Sequence, residues 1–430
     1  MKSAMMAKPA DKNIQSGNSR VKVTIYGQVN RAVRFANTGD NTEITSVDND
    51  GSGSRIGVRA VGKANANLSV GSLTEFEWRD NARSGTNAGN DGGVGIRTRH
   101  VDLWLDHKDI GKLSMGHGSM AGDAAGLYEL TGVSFVYGFA GANGTDGTKA
   151  DASVKTLKVN DGATPVTDAD TGDFAPASVT MDTVSATGKP RGFRPFNFFG
   201  FRQNRIRYDT PSLMGLRASA SYGENKTWSV GLSFAGAPPG VKNFSALFAA
   251  GYRKNDDDST AWAVSGGIKH SSGFNISASY DGDGEANSMG FKNSQWGVSG
   301  GWGGKINDAG GTSIGIGYNR SSDGMHGKAQ QYWVAIVQKV DAAAADVYAG
   351  VSYDSGTVTH TVSEAEAATA DRAYDSTTNT AAPPITALEQ AGSPCYSMSG
   401  VNFIKAAEGD TCEVARDGVI NFVAGVRLKF

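Results

Sequence analysis

The stretch TWSVGLSFA (227–235) decides how this chain folds. Trp228, Val230, Leu232 and Phe234 take every second position, with Ser229, Gly231 and Ser233 between them. A period of two marks a strand with one apolar face. The same alternation runs through Phe244, Ala246, Phe248, Ala250 and Tyr252, and through Phe274, Ile276, Ala278 and Tyr280. It recurs at Trp296, Val298 and Trp302, at Ile314, Ile316 and Tyr318, and at Val347, Ala349, Val351 and Tyr353. The chain closes on Ile420, Phe422, Ala424, Val426, Leu428 and Phe430. The opposite face is mostly Gly, Ser and short polar residues, too small to fill the core of a water-soluble sandwich. Aromatic residues gather at the row ends: Trp228, Trp262 and Trp296 near starts, Tyr252, Tyr280 and Tyr318 near finishes. An apolar band edged by aromatics is what a transmembrane β-barrel shows to lipid.

Composition supports this reading. Gly makes up 58 of 430 residues and Pro only 11, so the chain is not a Gly/Pro-rich disordered polymer. No apolar run approaches the roughly 20 residues of a membrane-spanning helix; WVAIV (333–337) is typical. Lys and Arg number 41 against 43 Asp and Glu, a net charge of −2 with no global basis for binding nucleic acid.

Sixteen strands are expected, near 22–36, 55–63, 68–79, 95–107, 111–117, 196–209, 213–223, 228–235, 244–253, 260–270, 274–281, 294–304, 312–320, 329–340, 346–354 and 418–430. An even number closes a barrel with both termini on one side. Residues 1–20 form a polar extension, and MKSAMMAKPADKN lacks the 7–15-residue apolar core of a secretory signal. Residues 21–430 form the barrel. Two connections are outsized: 118–195 and 355–417. Within 141–190, seven Asp face four Lys, a net −3.

Five motifs carry a family resemblance: VTIYGQVNRA (23–32), SRIGVRA (54–60), RTRHVDL (97–103), FRQNRIRYDTPSLMGLRASASY (201–222) and a terminal strand ending in Phe430. In this order and spacing they resemble the general porins of Gram-negative outer membranes. That resemblance implies an all-β, sixteen-stranded antiparallel barrel in the bacterial outer membrane, trimeric, with periplasmic termini. It also implies a third loop folded into the lumen, with acidic residues facing a wall of arginines, and passive diffusion of ions and small hydrophilic solutes. Mapped onto these motifs, Arg55, Arg97 and Arg202 match the family's basic wall, and Arg59 and Arg99, which share parity with Arg55 and Arg97 on their strands, are expected to complete it. By position alone, Asp123 and Glu129 are its acidic partners, since no clean counterpart of the family's loop tip is present. Phe430 is the expected assembly signal. A substrate-specific porin, or a plugged barrel serving as adhesin or structural protein, are the alternatives.

Alternation places Arg55, Gly57 and Arg59 on the non-lipid face, opposite Ile56, Val58 and Ala60. This avoids the roughly 2–4 kcal/mol of an arginine in mid-bilayer lipid. Arg97 and Arg99 share parity with Val101, Leu103 and Leu105; a bulge near His100, or a protein-covered trimer contact, would reconcile them. Gly27 and Arg31 interrupt the apolar row Val23, Ile25, Val29, which suggests protein contact there.

Cys395 and Cys412, the two cysteines, are expected to staple the last long loop in an oxidising compartment, with unrelated free thiols as the alternative. No GxxxxGK[ST], GxSxG or HExxH is present, so neither catalysis nor a cofactor is expected. The acidic groups Asp256–Asp258 and Asp281, Asp283 and Glu285 read as solvated outer-loop charge. The alternative is a Ca²⁺ or Mg²⁺ contact bridging to lipopolysaccharide, beside the membrane lipid itself.

Overall fold

A computed structural model describes residues 18–37, 42–79, 95–123, 125–138, 153–159, 179–185, 202–238, 240–285, 292–323, 327–361, 398–399, 402–403 and 411–430. In chain order the strands are β1 (Val21–Asn37), β2 (Thr42–Asp48), β3 (Arg55–Lys63), β4 (Leu68–Arg79), β5 (Gly95–His107), β6 (Gly111–Ser119), β7 (Ser153–Val159) and β8 (Val179–Ser185). They continue with β9 (Arg202–Asp209), β10 (Leu216–Gly223), β11 (Trp228–Gly236), β12 (Phe244–Lys254), β13 (Thr260–His270), β14 (Phe274–Asp283) and β15 (Ser294–Asn307). The last are β16 (Gly310–Asp323), β17 (Gly327–Val340), β18 (Ala345–Thr361), β19 (Met398–Ser399), β20 (Asn402–Phe403) and β21 (Thr411–Lys429).

Antiparallel pairing runs β1–β3–β4–β5–β6–β9, then consecutively to β18, then through β21 back to β1. The barrel is closed, with sixteen strands. Closure leaves no unpaired edge, which lipid would not tolerate. Phe430 completes the seam. Its N–H donates to Gly27 O (3.0 Å) and its own carbonyl accepts from Gly27 N–H (2.9 Å). A side chain at Gly27 would stand 2.5 Å from the Phe430 ring. Gly27 is therefore small to receive the terminal ring.

The apolar rows face outward: Val230, Leu232, Phe248, Ile276, Val298, Ile316 and Val334 are all exposed. Their aromatic ends form a girdle across neighbouring strands at the long-loop rim. Ring centroids lie 5.5 Å apart for Trp228–Tyr252, 4.8 Å for Trp262–Tyr280, 5.2 Å for Trp296–Tyr318 and 4.8 Å for Tyr318–Tyr332.

Three departures from the sequence reading matter. Residues 37–54, expected as a loop, contain β2, which continues the antiparallel pairing of β3 along the same side of β1. The pairing steps from Arg31↔Asp48 to Gln28↔Arg55, so residues 49–54 stand opposite only Val29 and Asn30, and the four-residue surplus bulges off one continuous strand. Val47 is buried while Ile44 is exposed, an alternation too short to stand out in the sequence. The last hairpin is also longer than expected, since β18 and β21 stay paired as far as Thr361↔Thr411. Finally, Asp281 belongs to β14 and is buried, so it is not a loop-tip charge. Residues 153–159 and 179–185, within the long third connection, pair as a separate hairpin.

Candidate functional site

The inner wall opposite the lipid face carries two structures: an inlaid loop and a cluster of charges. The loop runs from Met120 to Gly138 and is fastened by inward-facing hydroxyls. Ala121 N–H donates to Ser221 Oγ (2.8 Å), Tyr128 N–H to Ser265 Oγ (2.8 Å) and Leu130 N–H to Ser277 Oγ (3.0 Å). Ser265 Oγ donates in turn to Ala125 O at 2.6 Å. Alanines finish the fit on this side, with Ala125 packed on Ala249, Ala261 and Ala263. Farther on, Val133, Phe135, Val136 and Tyr137 bury themselves against Trp333, Val337, Tyr348 and Val423. Tyr137 stacks on Trp333 (6.4 Å), and Phe135 meets Tyr348 edge-on (5.2 Å). The barrel's apolar core thus lies inside it, beneath this loop. The signal was in the sequence: VSFVY (133–137) is an apolar run in a polar loop, and WVAIV is apolar on both faces.

The charges occupy the wall built by β3, β4, β5 and β9. Glu75 and Glu77 face inward on β4, both buried. Arg99 spans them, with Nε 2.5 Å from Glu75 Oε1 and Nη1 2.5 Å from Glu77 Oε2. Arg97 Nε lies 3.0 Å from Glu77 Oε1, and Arg55 Nη1 lies 3.8 Å from Glu75 Oε1. Tyr26 Oη donates to Glu75 Oε2 at 2.5 Å. A register shift between Glu75 and Phe76 sets Glu75 opposite His100 and Phe76 opposite Thr98. Arg99 is the extra residue of this bulge, which lets Arg97 and Arg99 both reach inward while Val101, Leu103 and Leu105 meet lipid. The parity conflict is thereby resolved.

Arg55 is also held from behind. Its Nη2 donates to Ser52 Oγ (2.9 Å) and its Nε to Gly53 O (3.2 Å), both in the 49–54 excursion. That excursion is pinned by Gln28, whose Nε2 donates to Gly53 O (2.9 Å), and by Asn30, whose Nδ2 donates to Asn49 O (3.1 Å). Arg202, first in its strand, points Nε at His100 Nε2 (3.3 Å).

Asp123 joins this group from the loop side. Its half-buried carboxyl is raised above the ordinary aspartate value by burial, and this is opposed by a hydrogen bond with Ser119 and by the charges of Arg202, Arg207 and Arg99. Glu129 has a different neighbourhood, accepting a hydrogen bond from Thr131 Oγ1 at 2.5 Å within the loop. Arg59 lies away from the cluster too, with its guanidinium carbon 5.5 Å from the Trp104 ring centre. The expected basic wall therefore divides into four clustered arginines and one outlying.

Two arginines went unnoticed in the sequence. Arg205 makes a bidentate pair with Asp102 (2.8 and 2.9 Å). Arg207 donates to Met120 O (2.9 Å) at the loop's origin and pairs with Asp209 (2.7 Å). Their parity, alternating with Ile206 and Tyr208, was the available signal. At the acidic outer tips, Lys226 pairs with Asp256 (3.3 Å) and Lys254 with Asp258 (2.8 Å). Cys395 and the side chain of Cys412 lie outside the described residues.

The profile of the Gram-negative porins matches residues 3–371. The chain belongs to that family. No curated protein sequence matches it. Among solved structures, this porin is similar to an anion-selective porin from Comamonas acidovorans, at 13% identity and a TM-score of 0.54, covering 95% of this chain and 100% of the other. It is also similar to outer-membrane expressed OmpT of Vibrio cholerae, at 15% identity and a TM-score of 0.51, with 97% and 100% covered. At these identities the likeness shows the barrel fold. The porin is an outer-membrane transmembrane β-barrel.

Proposed function

We propose that this porin is a passive, water-filled channel for ions and small hydrophilic solutes, narrowed between the 120–138 loop and the arginine–glutamate cluster. The carrying observation is the placement of Arg55, Arg97, Arg99 and Arg202 on one wall with Asp123 reaching them from a loop laid along the lumen. Fixed charges of both signs beside a water path produce a transverse field. Such a field orients dipolar solutes and penalises apolar ones. With Glu75, Glu77 and Asp123 ionised, four guanidinium groups stand against three carboxylates, which favours anions. Single-channel recording in a planar bilayer tests the reading; a folded barrel that passes no current would make it a plugged surface protein instead.

The channel is a homotrimer with both termini in the periplasm, its outer loops contacting lipopolysaccharide. The family resemblance supports the trimer. Mass measurement in mild detergent showing monomers alone would count against the trimer.

A further inference from the structure

We propose that the turn-side half of the lumen holds a binding seat for small dicarboxylates, built by Arg59, Lys112 and Arg217 around Trp104. The inference rests on the channel reading and concerns a place below the arginine–glutamate cluster. A cavity of about 670 Å³ opens there between β1, β3–β6, β9 and β10, within the range that small ligands fill.

Its floor is Trp104, which is 5% exposed and lies against Gly71, where an added side-chain carbon would stand 2.4 Å from the indole. The ring is therefore fixed flat on the wall. Lys112 Nζ sits 4.5 Å from its centre, and the Arg59 guanidinium carbon sits 5.5 Å from it. Cation–π contact positions both charges without neutralising them.

The cavity also contains Asp102 and Asp209, but each is engaged: Asp102 by the Arg205 fork and Asp209 by Arg207. Among the described residues, Arg59, Lys112 and Arg217 have no carboxylate within ion-pair distance. Three positive charges in a confined space therefore remain for an anion. Their layout favours two carboxylates. Lys112 stands opposite Asp209, and Asp209 opposite Ser219, two residues from Arg217. Arg217 thus starts two strand spacings across and two residues along from Lys112, about 12 Å at the backbone. Long side chains reaching across that gap leave room for a short dianion held at both ends, with its carbon chain over the indole.

The test uses the full-length porin in planar bilayers, with potassium succinate or potassium propionate as the current-carrying salt. Wild type should show current that saturates with succinate at far lower concentration than with propionate. R59S/R217S should raise the succinate half-saturation concentration about ten-fold, the loss of roughly one charge-assisted contact, and the propionate value at most about two-fold. R59K/R217K, which keeps both charges, should restore most of the difference. Should the double serine variant fail to run as a folded, heat-modifiable barrel, R217S alone is read the same way, since among the described residues Arg217 forms no side-chain hydrogen bond or ion pair. Current that rises linearly with succinate in channels that pass KCl would overturn the seat. So would equal shifts for both anions, which would indicate a general field. Absence of KCl current altogether would sink the channel reading, and the seat with it.

Discussion

Replacing Arg55 and Arg202 together by serine tests the arginine wall most directly. Both stand in the cluster where four guanidinium groups meet Glu75, Glu77 and Asp123, so the substitution changes a local balance of plus one to minus one. A monovalent ion passing about 7 Å from each charge feels about 0.6 kcal/mol in a water-like dielectric. Screening over that distance in about 0.1 M salt halves it to about 0.3 kcal/mol. Two charges make about 0.6 kcal/mol, raising local cations and lowering local anions by about threefold each, about eightfold in their ratio. The zero-current potential in a KCl gradient should therefore cross from anion towards cation preference. Conductance should rise as cross-section is freed. Folding should survive, because Glu75 keeps Arg99 and Tyr26 as partners and Glu77 keeps Arg97 and Arg99. An unchanged zero-current potential in folded channels would refute the placement of Arg55 and Arg202 beside the ion path.

Acidification should act through Asp123, whose carboxyl burial holds above the ordinary range. Lowering the pH through that raised value removes a negative charge and should strengthen anion preference; D123N should abolish this step, and a step that persists would assign it to another group. The ionised carboxylate is the disfavoured form in the seated loop, so D123N should also leave the loop at least as well seated at neutral pH. At the seam, G27L would drive a side chain into the Phe430 ring and should reduce the yield of heat-modifiable barrel in the outer membrane, as should deletion of Phe430; normal yield in both would remove the terminal ring from assembly. Thiol labelling of denatured, unreduced protein should find neither Cys395 nor Cys412 reactive, and labelling of both would refute the staple.

Strand existence and facing were legible because they are local. Every second residue from Trp228 to Phe234 points the same way whatever its neighbours do, and lipid demands that this side be apolar along the whole span. The aromatic girdle was visible for the same reason. The sixteen strands followed, apart from their ends: pairing between long strands carries β1, β18 and β21 beyond the membrane band, where alternation fades.

The site resisted sequence reasoning because its partners meet only on closure. Glu75 and Glu77 become partners of Arg99 through a one-residue register shift, and no alternation pattern says which of Arg97 and Arg99 takes the extra place. Arg55 depends on Ser52 and Gly53, whose approach follows from a four-residue surplus bulging off the strand. The loop lies where Ser221, Ser265 and Ser277, far apart in the chain, present hydroxyls to successive amides. Phe135 and Tyr137 gain a core only because β17, β18 and β21 bring Trp333, Tyr348 and Val423 beneath them. By itself the sequence determined which face of each strand meets lipid, since that choice is made one residue at a time by a uniform solvent. Only the tertiary structure decided which charges meet across the lumen, since that depends on register and barrel closure, which couple residues a hundred positions apart.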